Sequence, residues 1–121
     1  MTKRVLLVED EPNIAESLSF LLKRSGFDVS IETDGLKGLQ SALTQVPDVL
    51  VLDGMLPEID GYDILRQLRD DERTKSLPVL MLTAKGQKVD RETALAIGAD
   101  AFITKPYANS DVVDAVVKLA G

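Results

Sequence analysis

A chain of 121 residues has room for one hydrophobic core, and its 45% hydrophobic and 28% charged residues are ordinary for a water-facing globular domain. It has neither cysteine nor histidine, which excludes disulfides, thiolate catalysis, cysteine-ligated metals and an imidazole base. What remains is carboxylate, hydroxyl and amine chemistry, at a net charge of -6 that gives this domain no attraction to nucleic acid. No apolar run is long enough for a membrane helix, and Met1-Thr2-Lys3-Arg4 leads directly into a strand pattern rather than a signal sequence, so the expected location is cytoplasmic.

In chain order, the aliphatic run Val5 to Val8 predicts a buried strand that stops at Glu9-Asp10. Pro12 suits a first helical turn, and Ile14, Leu18, Leu21 and Leu22 recur on one face until Gly26. Phe27 to Glu32 alternates apolar and polar, as a strand with an exposed face or edge does. A less periodic helix around Leu36 to Val46 is closed by Pro47. The second aliphatic run, Val49 to Leu52, ends abruptly at Asp53-Gly54. A helix carrying Tyr62, Leu65 and Leu68 follows Asp60-Gly61, with Asp60 and Asp63 spaced as a capping pair. Val79 to Leu82 predicts a strand ending at Thr83, and Val89 to Ile97 a helix closed by Gly98. The short strand Ala101 to Ile103 precedes Lys105-Pro106, and Val112, Val113, Val116 and Val117 mark a last helix.

Strands alternating with helices build a parallel sheet with right-handed crossovers and helices on both faces. With the half-polar second strand at one edge and the short fifth strand at the other, the expected fold is a doubly wound (βα)5 α/β sandwich. Its five-stranded sheet has the order 2-1-3-4-5, and residues 1–121 form one domain. Such sheets bind ligands beyond the strands' carboxyl ends, at the switch point between strands 1 and 3.

Glu9, Asp10 and Asp53 meet at that point. At about 4 Å and an effective dielectric of about 20, each like-charge pair costs roughly 4 kcal/mol, so the cluster implies a cation. Without histidine zinc is disfavoured, whereas Mg²⁺ is suited by a few carboxylates plus waters and phosphate oxygens. Thr83 and Lys105 bring a hydroxyl and an ammonium to the same edge. A metal, a carboxylate nucleophile, a hydroxyl and a lysine are the parts needed to accept a phosphoryl group on Asp53. Gly54 permits close backbone approach just after the nucleophile.

VLLVEDEP, DGMLPEIDG, LTAKG and GADAFITKPY, in this order and spacing, resemble the signatures of the receiver domain of two-component response regulators over essentially the whole chain. The resemblance implies a flavodoxin-like fold. It further implies an Asp53 phosphoacceptor served by a sensor histidine kinase or histidine phosphotransfer protein. Mg²⁺ would be held by Glu9, Asp10, Asp53 and the Met55 backbone carbonyl. It assigns Thr83 and Phe102 to a switch that alters the face of helix 4, strand 5 and helix 5, and makes the Lys105-Pro106 bond cis, with Pro106 the cis-proline. It implies a signalling protein that catalyses only its own phosphorylation and dephosphorylation, standing alone or followed by an output domain beyond Gly121. Gly54 stands where the family more often has a bulkier aliphatic residue. Ala101 and Ala115 replace an acid and an arginine that many DNA-binding members use for dimer salt bridges.

Taken singly, Glu9 and Asp10 would read as acids near a helix N-terminus, Thr83 as a strand end, Lys105 as a solvated amine and Phe102 as core. Two further functions fit parts of the pattern: a receiver-like binding module that takes no phosphate, and a Mg²⁺-dependent phosphohydrolase. The intact acceptor, metal and lysine positions oppose the first. The second lacks an acid two residues after Asp53, where Met55 stands, and neither a GxxxxGK loop nor a flavin phosphate loop is present. Apolar Met55 positions an attacking water poorly, so the aspartyl phosphate should not be among the shortest-lived. Met55→Asn should shorten its lifetime severalfold, as followed by loss of the phosphorylated mass; an equal or longer lifetime contradicts this.

Overall fold

The aliphatic runs become strands because each side chain in them finds a helix to pack on. In the computed structural model, which describes residues 2–54, 56, 59–83 and 88–121 without the side chains of 88–91, five strands alternate with five helices. The strands are β1 (Arg4–Val8), β2 (Asp28–Glu32), β3 (Val49–Asp53), β4 (Val79–Thr83) and β5 (Ala101–Thr104). Between and after them run α1 (Pro12–Arg24), α2 (Gly35–Thr44), α3 (Gly61–Arg69), α4 (Lys88–Ile97) and α5 (Asn109–Ala120). The sheet is parallel throughout and ordered β2-β1-β3-β4-β5, the flavodoxin-like arrangement expected from the alternation.

Period-two alternation sorts the core into two halves. Leu6, Val8, Leu50, Leu52 and Met81 face α2 and α3, meeting Leu39, Ile64, Leu65 and Leu68, with Ala94 of α4 in the same cluster. Val5, Leu7, Val49, Val51, Leu80 and Leu82 face Ala15, Leu18 and Leu22 of α1 and Val112 and Val116 of α5. All five residues of β3 and of β4 are buried, so these strands are held from both sides. β2 pairs only with β1 and leaves Ile31 38% exposed, which explains its mixed sequence.

The helix ends depart from expectation in small ways. Asp60 caps α3, its Oδ1 accepting from the Tyr62 N–H at 2.9 Å, but Asp63 does not complete a reciprocal pair. Its carboxylate instead accepts from Arg66 Nη1 at 2.6 Å, because aspartate is one methylene shorter than the glutamate of a capping box. Asp34, unnoticed in the sequence, caps α2 by accepting from the N–H groups of Leu36 at 2.8 Å and Lys37 at 3.3 Å. α2 ends at Thr44, and Val46 lies outside it, 39% exposed.

At the amino edge of the sheet, Arg69 ties α3 to β4 and β5. Its Nε and Nη2 donate to the Gly98 carbonyl at 3.0 and 2.8 Å, and its Nη1 donates to the Thr74 carbonyl at 3.0 Å. Nη2 also reaches Asp100 Oδ2 at 3.1 Å, and that same oxygen accepts from the Val79 N–H at 2.8 Å. The carboxyl edge is thereby free to carry chemistry. Leu52, fully buried beside Asp53, is central to the first half-core: Leu52→Ala should lower stability by roughly 2–5 kcal/mol, read as a fall in the urea midpoint.

Candidate functional site

β1 and β3 lie side by side with Val8 opposite Leu52, so the residues that follow, Glu9 and Asp10, come out beside Asp53 at the strand ends. Glu9 is fully buried, Asp53 is 1% exposed and Asp10 is half-buried. One carboxylate oxygen from each lies within 4.8 Å of the others. At that spacing each ionised pair repels by about 3–4 kcal/mol at an effective dielectric of about 20.

Lys105 answers part of this charge. Its Nζ donates to Asp53 Oδ2 at 3.0 Å and lies 3.9 Å from Glu9 Oε1. Burial works against the ammonium, but the Asp53 hydrogen bond and the Asp53 and Glu9 charges outweigh it and hold Lys105 above its usual lysine value. The backbone places it: the Lys105 N–H donates to the Thr83 carbonyl at 2.6 Å, and the Lys105–Pro106 bond is cis.

Glu9 is the unbalanced member. Neither of its oxygens accepts a hydrogen bond among the described residues, although both are buried. Its carboxyl is pushed from 4.5 up to about 9, first by burial, then by a hydrogen bond it can donate to Asp53 once protonated, and by the Asp53 charge; Lys105 pulls the other way. A proton shared with Asp53 or a bound cation would each satisfy those oxygens. An all-oxygen donor set of buried carboxylates, with Glu9 lacking a donor, fits a hard divalent cation such as Mg²⁺.

Thr83, 3% exposed, ends β4 and stands level with Thr104 of β5. By alternation it shares the sheet face of Met81, against whose cluster Phe102 packs half-buried. Thus Asp53 continues the α1/α5 face while Thr83 and Phe102 belong to the α4 face. Gly54 donates its N–H to the Leu82 carbonyl at 2.7 Å. Met55, expected to offer its carbonyl to the metal, lies outside the described residues, as does Ala84 after Thr83.

One supporting residue was read in the sequence only as a helix start. A methyl group on Gly61 would overlap the Asp53 carbonyl oxygen and come within 2.8 Å of Gly54 Cα, while the Gly61 N–H donates to the Gly54 carbonyl at 3.2 Å. The start of α3 is therefore pressed against the backbone that carries Asp53. The DG at 60–61 signals a turn in the sequence, but nothing local says what the turn touches.

This is a flavodoxin-like domain with an acidic, lysine-bearing carboxyl edge suited to a divalent cation. The family model for the response regulator receiver domain matches residues 5–117, and the chain belongs to that family, the receiver domains of two-component signalling. It is 43% identical over 112 residues to the alkaline phosphatase synthesis transcriptional regulatory protein PhoP of Bacillus subtilis, covering 93% of this chain and 46% of that protein. It is 45% identical over 108 residues to the transcriptional regulatory protein CreB of Escherichia coli, covering 89% of this chain and 46% of that one. The chain thus spans about half the length of these curated relatives. Among solved structures, the Francisella response regulator 1452 receiver domain superposes with a TM-score of 0.92 at 28% identity, covering 98% of this chain and 97% of that one. The receiver domain of the sensor histidine kinase PA1611 of Pseudomonas aeruginosa, with magnesium coordinated in its active site cleft, superposes at 0.85 with 30% identity, covering 100% and 99%.

The raised Glu9 carboxyl has a definite sign for stability. Between about pH 4.5 and 9 the folded, metal-free protein holds a proton on Glu9 that the unfolded chain has released, so stability falls as pH rises through this window. Urea midpoints measured in a chelator should decline with pH, and Glu9→Gln should remove most of that decline.

Proposed function

We propose that residues 1–121 form the receiver unit of a two-component pathway. Asp53 takes a phosphoryl group from phosphohistidine on a sensor histidine kinase or histidine phosphotransfer protein and later loses it to water. The observation that carries this reading is Asp53 itself, a 1% exposed carboxylate at a strand tip with Lys105 Nζ 3.0 Å away and Glu9 and Asp10 beside it.

Mg²⁺, held by Glu9, Asp10, Asp53 and the Met55 backbone carbonyl, supplies neutralising charge for the phosphoryl oxygens when bound. An Asp53 Oδ forms a bond to phosphorus as the donor's P–N bond breaks. The electron pair leaves with the imidazole nitrogen, which takes up a proton. Lys105, kept protonated by its acidic neighbours, balances the charge that Asp53 alone bore before transfer. The Thr83 hydroxyl donates to a phosphoryl oxygen once the group is in place. In the reverse sense, water attacks phosphorus and Asp53 departs as carboxylate. The domain therefore acts on its own phosphoryl group and turns over no separate substrate.

The signal leaves through Thr83 and Phe102, which share one sheet face, and changes what α4, β5 and α5 can bind. An output domain outside residues 1–121 or a separate partner would read that face. Support for an output domain comes from the relatives of about twice this length, which are transcriptional regulators by name. The domain's own charge of -6 leaves DNA contact to such a partner. No described helix is long and apolar enough to cross a membrane, and a cytoplasmic site of action belongs to the same proposal.

The test is incubation with acetyl phosphate and Mg²⁺, or with beryllofluoride and Mg²⁺ as a phosphoryl mimic. One adduct per wild-type chain is expected by mass, none in Asp53→Asn, and a rate reduced about 10²-fold or more in Lys105→Ala. Wild-type protein that stays unmodified with Mg²⁺ present would sink the reading.

A further inference from the structure

Tyr107 lies two residues beyond Lys105, with its ring half-buried against the cluster that contains Val5, Leu7, Ala15 and Leu18. Its hydroxyl oxygen is buried and has no hydrogen-bond partner among the described residues. The same is true of both oxygens of Glu9. By strand alternation Glu9 falls on the Val5 and Leu7 side of the sheet, the side on which Tyr107 packs. A phenol that needs an acceptor and a carboxylate that needs a donor therefore occupy the same face at the same edge. Burial first, and the Glu9 charge second, push the Tyr107 hydroxyl above its usual value, so the two groups feel one another. Tyr107 also lines a cleft of about 400 Å³ with Asn13, Ser17, Lys105 and Asn109, beside the acidic cluster.

The geometry points to Tyr107 as a positioning residue of the cation pocket: its hydroxyl donates to Glu9, directly or across one water, and keeps that carboxylate turned toward Asp10 and Asp53. This rests on the Mg²⁺ reading proposed above. The Lys105 ammonium is 3.9 Å from Glu9 Oε1 and is committed to Asp53 at 3.0 Å, so it does not orient Glu9. Partners of this kind, which touch a ligand and not the metal, fix ligand direction and alter metal affinity. Phenylalanine at this position would keep the ring's packing and lose the donor.

Magnesium chloride titrated calorimetrically into the wild type and Tyr107→Phe tests the assignment. The variant should bind Mg²⁺ about tenfold more weakly, the low end expected for loss of such a partner. Its metal-free thermal midpoint should stay at the wild-type value. In phosphorylation by acetyl phosphate, the Mg²⁺ concentration for half-maximal rate should rise by a larger factor than the limiting rate falls. A spectroscopic signature is also available, because the chain has two tyrosines and no tryptophan. Adding Mg²⁺ should give a near-ultraviolet difference spectrum in the wild type and in Tyr62→Phe, and none in Tyr107→Phe. Equal Mg²⁺ affinity in wild type and Tyr107→Phe overturns the assignment and leaves the function standing. Weaker binding together with a lowered thermal midpoint also overturns it, by tracing the loss to packing. A wild type that takes no Mg²⁺ brings down the function and this inference together.

Discussion

Three carboxylates facing one lysine set the terms for the rest of the molecule. Glu9, Asp10 and Asp53 lie within 4.8 Å of one another, and Lys105 offsets one of their three charges. The two charges left over match a dication, which is why an oxygen-only site at this edge suits magnesium. A loop could relax away from repulsion of a few kcal/mol per pair, but β3 cannot, because all five of its residues are buried between α1 and α5 on one face and α2 and α3 on the other. The hydrophobic core is what keeps like charges together.

The strand alternation that builds two half-cores also divides the site. Asp53 continues the row of Val49 and Val51, above α1 and α5, with Glu9 beyond Leu7 in the neighbouring row. Thr83 continues the row of Met81 on the opposite face, where Phe102 packs. Chemistry at Asp53 and a response at Phe102 are thus separated by the thickness of the sheet and joined at the tip of β4. Asp53 pairs with Leu82, and the next residue is Thr83. A group added at Asp53 and held by Thr83 would draw on both faces at once, which gives the proposed switch a structural route one residue long.

Much of this is legible in the sequence because it depends on local pattern. Aliphatic runs ending in Glu9-Asp10, Asp53, Thr83 and, after β5, Lys105 announce strands whose charged or polar tips must share an edge once the sheet is parallel. The alternating second strand names its own place at the edge. What sequence reading misses depends on which surfaces meet. The contact of Gly61 with the Asp53 carbonyl requires α3 to begin against the end of β3, whereas glycine follows aspartate in turns of many kinds that press on nothing. Asp63 has Asp60 and Arg66 both within reach along the helix, and only the folded geometry shows that Arg66 takes it. The unpartnered hydroxyl of Tyr107 is likewise invisible until burial is known.

The opposite edge shows why the carboxyl edge can be so acidic and still keep its register. Arg69, with its side chain 16% exposed, donates to carbonyls from the loop before β4 and from the end of α4, and pairs with Asp100 just before β5. A guanidinium offers several donors in a rigid plane and stays charged at any pH the protein meets, so it fixes three chain segments at once. Asp100 in turn accepts the N–H of Val79, the first residue of β4. β4 and β5 are thereby aligned at their starts, and four residues later Thr83 stands opposite Thr104, with Lys105 hydrogen-bonded to the Thr83 carbonyl. The position of the Lys105 ammonium against Asp53 is therefore set partly by a cation at the far end of the same two strands.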